Sequence, residues 1–367
     1  MEFVLSELTE QVLTARAAKK SLFIAGGGTK AFYGNQRALL PQDEHYQLDM
    51  TAYTGIVNYH PSELVVTARA GTPLAELEAE LERGGQMLAF EPPHFGSAAT
   101  VGGCVAAGLA GPRRVAAGGV RDFVLGVRML DAQGNLASFG GEVMKNVAGY
   151  DVSRLMAGSL GIFGALLDVS LKVLPRPLEE TTRVLDTTQD EALKLFTAWR
   201  SQPLPISASA WVPDETAPGR GRLTVRLSGA PPAVRDAAAR IGGDDLDDAR
   251  AWWLGLREQT HAFFNRETPL WRLALPPTTP TLEWGPMLLE WGGGQRWFSG
   301  SVDAKALRAA AERAGGHATL FRTAGWVEPE GGVFHPLPPG VATITRRLKQ
   351  ELDPSGLFNP GRLYPEL

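Results

Sequence analysis

The segment FEPPHFGSAATVGGCVAAGLAGPRR (residues 90–114) opens the part of the chain from which the architecture follows, Phe90 to Leu174. It continues through RDFVLGVRMLDAQGNL (121–136) and GGEVMKNVAGYDVSRLMAGSLGIFGALLDVSLKVLP (140–175). Glycine recurs every few residues, although the segment is too apolar for a linker. Glycine lets backbone N–H groups approach a ligand without a Cβ in the way, at an entropic cost that packing or binding must offset. The pattern therefore predicts backbone lying against a large, flat ligand such as a cofactor.

Length and composition indicate a soluble, globular protein of two domains. With 367 residues the chain exceeds what one hydrophobic core usually organises. Its hydrophobic content of 44% and charged content of 21% are typical of globular proteins. The formal charge of −4 gives no electrostatic reason to expect nucleic acid or an anionic membrane as a partner.

Cysteine usage and apolar runs bear on redox chemistry and location. Cys104 is the single cysteine, which excludes an intrachain disulfide and a cysteine-ligated iron–sulfur cluster within this sequence. Another subunit would have to supply any iron–sulfur chemistry. The first residues, MEFVLSELTEQV, carry acidic groups where a secretory signal carries basic ones, and no apolar run is long enough to span a bilayer. We therefore expect a cytoplasmic protein.

A first glycine loop follows a short apolar run at Ser21–Ala25, which we predict to be a buried strand. The loop consists of Gly26, Gly27, Gly28, Thr29 and Lys30. Three glycines, a hydroxyl and a cation form a nest of N–H groups suited to a diphosphate, although a plain tight turn is the alternative. The spacing matches neither the GxxxxGK[ST] of a Walker A loop nor the GxGxxG of a Rossmann fold.

A second glycine loop consists of Thr100, Val101, Gly102 and Gly103 and opens a run of small residues that reaches Gly111. Small side chains let a helix or loop pack closely on a flat apolar surface, and tight helix packing alone is the alternative. Two further elements are predicted after this loop. A hairpin spans 123–136 and turns at 133–135, and a long strand spans 162–174.

The predicted elements before the glycine-rich stretch combine helices and strands. They are a helix at 6–20 with Ser6 as N-cap, strands at 46–50, 64–69 and 86–90, and a helix at 74–83 with Thr72 as N-cap.

The amino-acid composition of the sequence changes after Pro175 and Pro177. All nine tryptophans lie beyond this point. Predicted strands at 207–212, 223–227, 270–275, 287–291, 296–299 and 318–321 alternate with predicted helices at 190–201, 233–241, 247–264 and 302–314. That order indicates an antiparallel sheet with helices on one side. We expect domains at 1–176 and 177–340, with a tail at 341–367 that includes a helix at 348–352 and returns to the first domain.

An ordered series of motifs makes the chain recognisable. It comprises GGGTK, TARAGTPL, FEPPHFG, TVGG, GPRR, RDFVLG, VMKNVAGYDVSRLMAGSLGIFG and LFNPGRLY. This series resembles the FAD-binding E subunits of bacterial glycolate oxidases, members of the vanillyl-alcohol-oxidase or p-cresol-methylhydroxylase superfamily. The resemblance is dense from Ile24 to Pro175, sparse in the tryptophan-rich part, and returns at the end. It implies an α+β fold in which two α+β subdomains clasp an extended FAD, with a smaller α+β cap domain.

The resemblance also assigns cofactor-binding residues. It implies that the first glycine loop holds the FAD diphosphate and that the second glycine loop lies near the diphosphate and the flavin. A third glycine segment comprises Gly158, Ser159, Gly161, Ile162 and Gly164, and Pro92 joins the cofactor-binding set. Related oxidases often read GSEGTLGI there, and Leu160 and Ile162 replace the acidic and hydroxyl residues of that pattern. Contacts at those points are therefore expected from the backbone.

The FAD is expected to be noncovalent. Relatives that tether FAD commonly place a histidine beside the first loop or a cysteine in the second. The first glycine loop has no histidine, and Cys104 after TVGG is read as a small buried hydrophobe.

Oxidation of a 2-hydroxy acid needs a base for the hydroxyl proton and cations for the carboxylate. His94 is the candidate base, and Arg113 and Arg114 are the candidate anchors. A turn histidine, and arginines that pair with Asp122 or the FAD phosphates, are the alternatives. No metal is expected, because the histidines of the second part are widely spaced.

The resemblance further implies partners, namely a larger FAD-binding subunit and an iron–sulfur subunit, with peripheral membrane association only through that complex. Two functions remain open. The chain is either a redox subunit that oxidises glycolate or relays its electrons, or a structural subunit that keeps the flavin fold and acts through protein contacts. Glycolate, D-lactate and other small 2-hydroxy acids are not distinguished as substrates.

Overall fold

A computed structural model of the chain describes residues 1–36, 45–142 and 151–367. The described residues form two compact units. The first comprises Met1–Leu109, Gly119–Pro175 and Glu330–Leu367, and the second comprises Ala110–Gly118 and Arg176–Pro329. Part of the motif VMKNVAGYD, residues 143–150, lies outside the described residues. The division at 176 and 340 drawn from the sequence stays a prediction.

The first unit contains nine strands and six helices among its described residues, numbered in chain order along the whole chain. The strands are β1 Ser21–Ala25, β2 His45–Asp49, β3 Ile56–His60, β4 Val65–Arg69, β5 Gln86–Met87, β6 Val124–Leu130, β7 Leu136–Gly140, β8 Ala165–Lys172 and β9 Leu174–Pro175. The helices are α1 Glu2–Ala17, α2 Leu74–Arg83, α3 Val101–Ala107, α5 Val120–Phe123, α6 Val152–Leu155 and α11 Pro339–Leu352.

A parallel pair, β1 and β2, anchors one part of the first unit. Leu22 of β1 pairs with Tyr46 of β2, and Leu22 is fully buried. Helix α1 buries Leu8, Val12 and Ala15, whose spacing places them on one face of the helix. These residues share a hydrophobic core with Leu48, Met50, Tyr53, Leu130, Ala132, Ala165, Leu167, Leu357 and Phe358. The core therefore holds the end of β1, where the first glycine loop begins.

A five-stranded antiparallel sheet, in the order β3-β4-β8-β6-β7, forms the other part of the first unit. The predicted hairpin is present as β6 and β7. Its turn is held by Asp131, whose Oδ1 accepts hydrogen bonds from the backbone N–H groups of Gln133 and Asn135 at 2.8 Å each. Gly134 has φ +82°, which only glycine adopts readily. The central strand β8 leads directly out of the third glycine segment.

The second unit contains one antiparallel sheet of eight strands, which confirms the predicted α+β class with a separate antiparallel sheet. The strand order is β13-β10-β12-β11-β15-β16-β14-β17. The strands are β10 Glu179–Thr188, β11 Ile206–Pro213, β12 Arg220–Gly229, β13 Asp244–Asp245, β14 Leu270–Ala274, β15 Met287–Glu290, β16 Gln295–Ser299 and β17 His317–Arg322. The helices are α4 Arg114–Ala117, α7 Gln189–Arg200, α8 Pro231–Ile241, α9 Ala249–Arg257 and α10 Ala304–Arg313.

Several local predictions were wrong. Ser6 does not cap a helix, because α1 already contains it and its hydroxyl donates to the carbonyl of Glu2 at 3.0 Å. Thr72 does not cap α2 either, because its Oγ1 instead accepts from the backbone N–H of Gly55 at 2.9 Å. The strand predicted at 86–90 is limited to Gln86–Met87.

Two further differences concern a helix length and an unpredicted strand in the second unit. The helix predicted at 247–264 ends at Arg257, and a separate short 3-10 turn follows at Ala262–Phe264. Strand β10 was not predicted at all, because its threonines and charged residues lack an apolar run.

Among the helices in the described part of the chain, none is long and apolar enough to cross a bilayer.

Candidate cofactor site

A cleft of about 260 Å³ lies within the first unit. Most of its lining comes from the end of β1 with the first glycine loop, from α3, from the third glycine segment with the start of β8, and from residues near the chain end. Gln47, Met50 and Ala70 complete the lining. Ten predicted cofactor residues are among its lining, namely Gly26, Gly27, Gly28, Thr29, Lys30, Thr100, Gly102, Gly103, Gly161 and Gly164. Segments far apart in sequence thus meet around one cavity.

The first glycine loop offers unused donors to this cleft. Within the described residues, the backbone N–H groups of Gly26, Gly27, Gly28 and Thr29 have no protein acceptor. A Cβ on Gly27 would lie 1.5 Å from the carbonyl oxygen of Ala98, so only glycine fits there. Gly28 has φ +70° and no atom within 4 Å of a hypothetical Cβ. Four successive donors in a loop of this kind suit a diphosphate, so the residues present fit an FAD.

The second glycine loop begins α3 and packs against the first. Thr100 caps the helix, and its Oγ1 accepts from the backbone N–H of Gly103 at 3.2 Å. A Cβ on Gly26 would lie 2.5 Å from that same oxygen. A Cβ on Gly102 would lie 2.7 Å from the Cβ of Ala70. Gly26 and Gly102 therefore allow close packing at the second glycine loop and also line the cleft.

The third glycine segment turns sharply before β8. Gly161 has φ +73° and Gly164 has φ +149°, conformations that side chains rarely adopt. A Cβ on Gly164 would lie 2.2 Å from the Cε of Met129. Leu160 also has a positive φ, +51°, and lines the cleft. This segment thus presents backbone and one leucine side chain to the cavity.

Residues near the chain end complete the cleft. Asn359 accepts from the backbone N–H of Ile24 at 2.8 Å and donates to the carbonyl of Leu160 at 2.6 Å. Arg362 is buried and donates to backbone carbonyls in the segment 31–35. Sequence reasoning quoted LFNPGRLY as a motif but assigned no cofactor role to these two residues. The only signal for them was the returning resemblance at the chain end.

Five predicted cofactor residues do not line the cleft, namely Pro92, Val101, Gly158, Ser159 and Ile162. Val101 and Ile162 are fully buried in the core. Ser159 supports the third segment, because its Oγ accepts from the backbone N–H of Gly161 at 3.3 Å. A Cβ on Gly108 would lie 2.8 Å from the Cα of Gly158. Ser159 thus supports the third glycine segment without lining the cleft itself.

His94 lies in the first unit but outside the lining of the cleft. Its Nε2 is 2.9 Å from Oε2 of Glu78, and its side chain is 14% exposed. Its backbone carbonyl accepts from Nζ of Lys30, a lining residue, at 3.2 Å. His94 is therefore tied to the first glycine loop through its backbone, while its ring is oriented by a carboxylate.

Arg113 and Arg114 belong to the second unit. Arg113 is buried and forms an ion pair with the carboxylate of Glu180. Burial would raise the pKa of Glu180, but the guanidinium of Arg113, then that of Arg226, hold this pKa below its ordinary 4.5. Arg114 lies with its guanidinium carbon 4.6 Å from the ring centroid of Trp291. Both arginines thus have partners within their own unit.

Cys104 lies on α3 and is 2% exposed. Burial raises the pKa of its thiol to about 12. Because the thiolate is the nucleophilic form of a thiol, this raised pKa and the burial of the side chain both disfavour a covalent link through Cys104. Among the described residues there is also no group of three His, Cys, Asp or Glu side chains that could hold a metal ion.

Comparison with known proteins assigns the chain to a class. The FAD binding domain family matches residues 5–140. A solved structure of alkyldihydroxyacetonephosphate synthase shares the fold, with a TM-score of 0.68 and 15% identity over 97% of this chain and 74% of that one. The family match, the shared fold and the cleft together define a protein with an FAD-binding domain.

The family follows from sequence similarity. The glycolate oxidase subunit GlcE of Escherichia coli (strain K12) is 46% identical over 361 residues, covering 98% of this chain and 97% of that relative. The glycolate oxidase subunit GlcD of Bacillus subtilis (strain 168) is 32% identical over 132 residues, 35% of this chain and 27% of that relative. The chain belongs to the glycolate oxidase subunit GlcE family, which confirms the resemblance seen in the motifs.

Proposed function

We propose that this chain is the FAD-binding redox subunit of a glycolate oxidase complex, in which it oxidises glycolate or relays its electrons. One observation carries the proposal. All three glycine segments converge on one cleft, and the first loop has four backbone N–H groups that find no acceptor among the described residues. Gly28, with φ +70° and no atom within 4 Å of a hypothetical Cβ, leaves open space for a ligand beside these donors.

The residues of the cleft divide the work of binding. Gly26, Gly27, Gly28 and Thr29 would hold the FAD diphosphate through their backbone, with Lys30 adding a positive charge. The second glycine loop and the third glycine segment would lie along the rest of the cofactor. Pro92, Val101, Gly158, Ser159 and Ile162 stay in the proposed cofactor-binding set, although they do not line the cleft. When bound, FAD supplies the acceptor for the two electrons of a 2-hydroxy acid. We infer that the cofactor is noncovalent, because Cys104 is buried and protonated.

His94 is the proposed base for the substrate hydroxyl. The pairing of its Nε2 with Glu78 is an arrangement in which a carboxylate orients an imidazole. Arg113 and Arg114 are the proposed anchors of the substrate carboxylate, but each already has a partner, Glu180 or Trp291. Because both arginines already have partners, we propose that full activity requires the larger flavoprotein subunit and the iron–sulfur subunit. The same pairing also favours the second candidate, a structural subunit without its own catalysis.

We further propose that the protein acts in the cytoplasm, with peripheral membrane association only through the other subunits.

Anaerobic reduction by glycolate tests these alternatives. The FAD-loaded chain is mixed with glycolate, first alone and then with the other subunits, while the flavin absorption band is followed. Bleaching of the chain's own flavin, alone or in the complex, supports the redox subunit. A flavin that stays oxidised in a complex that turns over glycolate contradicts it and leaves the structural subunit. D-Lactate serves as a comparison substrate, and acetate, which lacks the 2-hydroxyl, serves as the control.

A further inference from the structure

The helix α11 buries a single residue along its 14 residues, and that residue is Lys349. Its side chain is 8% exposed. Burial of an ammonium group is costly unless the charge is paired and every donor is satisfied. The buried position of this helix is therefore occupied by a charged residue, where an apolar residue would be expected.

Lys349 satisfies this demand completely. Its Nζ donates to Oδ2 of Asp353 at 2.7 Å, to the carbonyl of Phe358 at 2.9 Å and to the carbonyl of Ile162 at 2.5 Å. An ammonium has three donors, and here each has one acceptor. Burial lowers the pKa of Lys349 from its ordinary 10.5, and the charge of Asp353 opposes that shift.

Two of the three acceptors, the carbonyls of Ile162 and Phe358, belong to residues that lie next to the cleft lining. Ile162 belongs to the third glycine segment, between the lining residues Gly161 and Gly164. Phe358 immediately precedes Asn359, which lines the cleft. The ammonium therefore joins the third glycine segment to the chain end at a point just behind the cavity.

Asp353 and Asn359 extend this connection to the first glycine loop. Asp353 accepts the backbone N–H groups of Leu357 and Phe358 at 3.0 and 2.8 Å, which fixes the turn before Asn359. Asn359 then joins Ile24, two residues before the first glycine loop, to Leu160. We call Lys349, Asp353 and Asn359 the terminal clamp.

We propose that Lys349 is a positioning residue for FAD, because through the terminal clamp it fixes the third glycine segment relative to the first glycine loop. The inference rests on the proposed function, in which this cleft holds FAD. A buried ion pair that served the fold alone would alter the stability of the apoprotein. It would leave the affinity of the folded protein for FAD unchanged.

Titration of the folded apoprotein with FAD separates these roles. Wild type, Lys349→Met and Asn359→Ala are compared at a temperature where each apoprotein is folded by circular dichroism. Lys349→Met keeps the length and apolar stem of the side chain but removes all three donors. We expect it to raise the Kd for FAD by about tenfold or more, because the third glycine segment is then no longer fixed relative to the first glycine loop and FAD binding must restore that arrangement. Arg83→Met is the matched control, because Arg83 is 73% exposed and pairs with Glu80 on the same unit.

The double variant Lys349→Met with Asn359→Ala shows whether the two residues act through one connection. We expect its effect on Kd to be smaller than the product of the single effects, because either change already loosens the same wall. If Lys349→Met does not fold, Asn359→Ala alone carries the test and must weaken FAD binding. Wild-type Kd in folded Lys349→Met, even with a lowered melting temperature, overturns the inference. A wild-type apoprotein that binds no FAD overturns the proposed function itself.

Discussion

At the residue scale, the cleft depends on glycines that admit no side chain. Gly27 is the clearest case, since a Cβ would lie 1.5 Å from a backbone oxygen. We expect Gly27→Ala to abolish FAD binding, because the first glycine loop must move to relieve the clash. Gly340→Ala is the matched control, since no atom lies within 4 Å of its hypothetical Cβ and it sits in a helix. Equilibrium FAD titration of both variants checks the prediction, and unchanged affinity in Gly27→Ala would contradict it.

The thiol of Cys104 provides a second test at this scale. With a pKa of about 12 and 2% exposure, it should not react with iodoacetamide in the folded protein at pH 8. The same reagent should label it fully in urea, which serves as the control.

Acid precipitation of the loaded protein should release all the flavin into the supernatant. Flavin retained in the pellet would show a covalent link and refute the noncovalent assignment.

The ion pair of Arg113 and Glu180 predicts a pH dependence of stability. Burial opposes ionisation of Glu180, but Arg113 lowers its folded-state pKa below the ordinary 4.5. The stabilisation is therefore present above pH 4.5 and is lost as the pH falls through the lower folded-state pKa. We expect the gap in urea midpoint between wild type and Arg113→Met to shrink as the pH falls below about 4. Arg235→Met, which removes an exposed pair with Glu179, should show little gap at any pH.

At the element scale, the chain end pairs with β1 through one parallel bridge between Leu22 and Phe358. The backbone N–H of Leu22 donates to the carbonyl of Leu357 at 2.8 Å, and that of Asn359 donates to the carbonyl of Leu22 at 3.1 Å. Phe358 is fully buried beside them in the shared core. This arrangement makes residues near the chain end a structural part of the first unit.

Phe358→Ala should lower the free energy of unfolding by about 3–5 kcal/mol, the usual cost of emptying a buried aromatic site. Phe358→Leu should cost much less, because it keeps most of the volume. Phe3→Ala is the control, since Phe3 is 74% exposed and its loss should change stability by less than about 0.5 kcal/mol. Urea unfolding measures all three. A Phe358→Ala variant as stable as Phe3→Ala would mean that the chain end does not pack as described.

The sequence predicts elements well where local chemistry acts without competition. Strand β1 and helix α2 have the predicted bounds, and the hairpin turn at Gln133–Asn135 is present. Ser6 and Thr72 were misread as caps because their hydroxyls have other backbone partners nearby. Strand β10 was missed because pairing with β12, rather than an apolar pattern, defines it.

The site was predictable to the extent that backbone geometry determines it. Glycine-rich motifs indicated the first and second glycine loops, and the family resemblance added the third glycine segment, but neither indicated the lining residues on and near β2, at Ala70 or near the chain end. Asn359 escaped assignment because its partner Ile24 is 335 residues away in the sequence. Lys349 escaped for a similar reason, since its helix reads as an ordinary polar surface helix until its burial is known. Long-range contacts of single polar side chains leave no periodic signal in a sequence.

At the scale of the whole molecule, the protein combines an FAD-binding unit with a second unit built on one antiparallel sheet. Family membership extends over 98% of the chain, so both units belong to the glycolate oxidase subunit GlcE family. The proposed catalytic side chains are divided between the units, with His94 in the first and Arg113 and Arg114 in the second.

The central claim is that the cleft of the first unit binds FAD. Its most direct test is the visible absorption spectrum of the purified chain after incubation with FAD and removal of the unbound cofactor by desalting. We predict a flavin band corresponding to one FAD per chain, which disappears in Gly27→Ala and persists in Gly340→Ala. A wild-type protein that is folded by circular dichroism but shows no flavin band would contradict the claim.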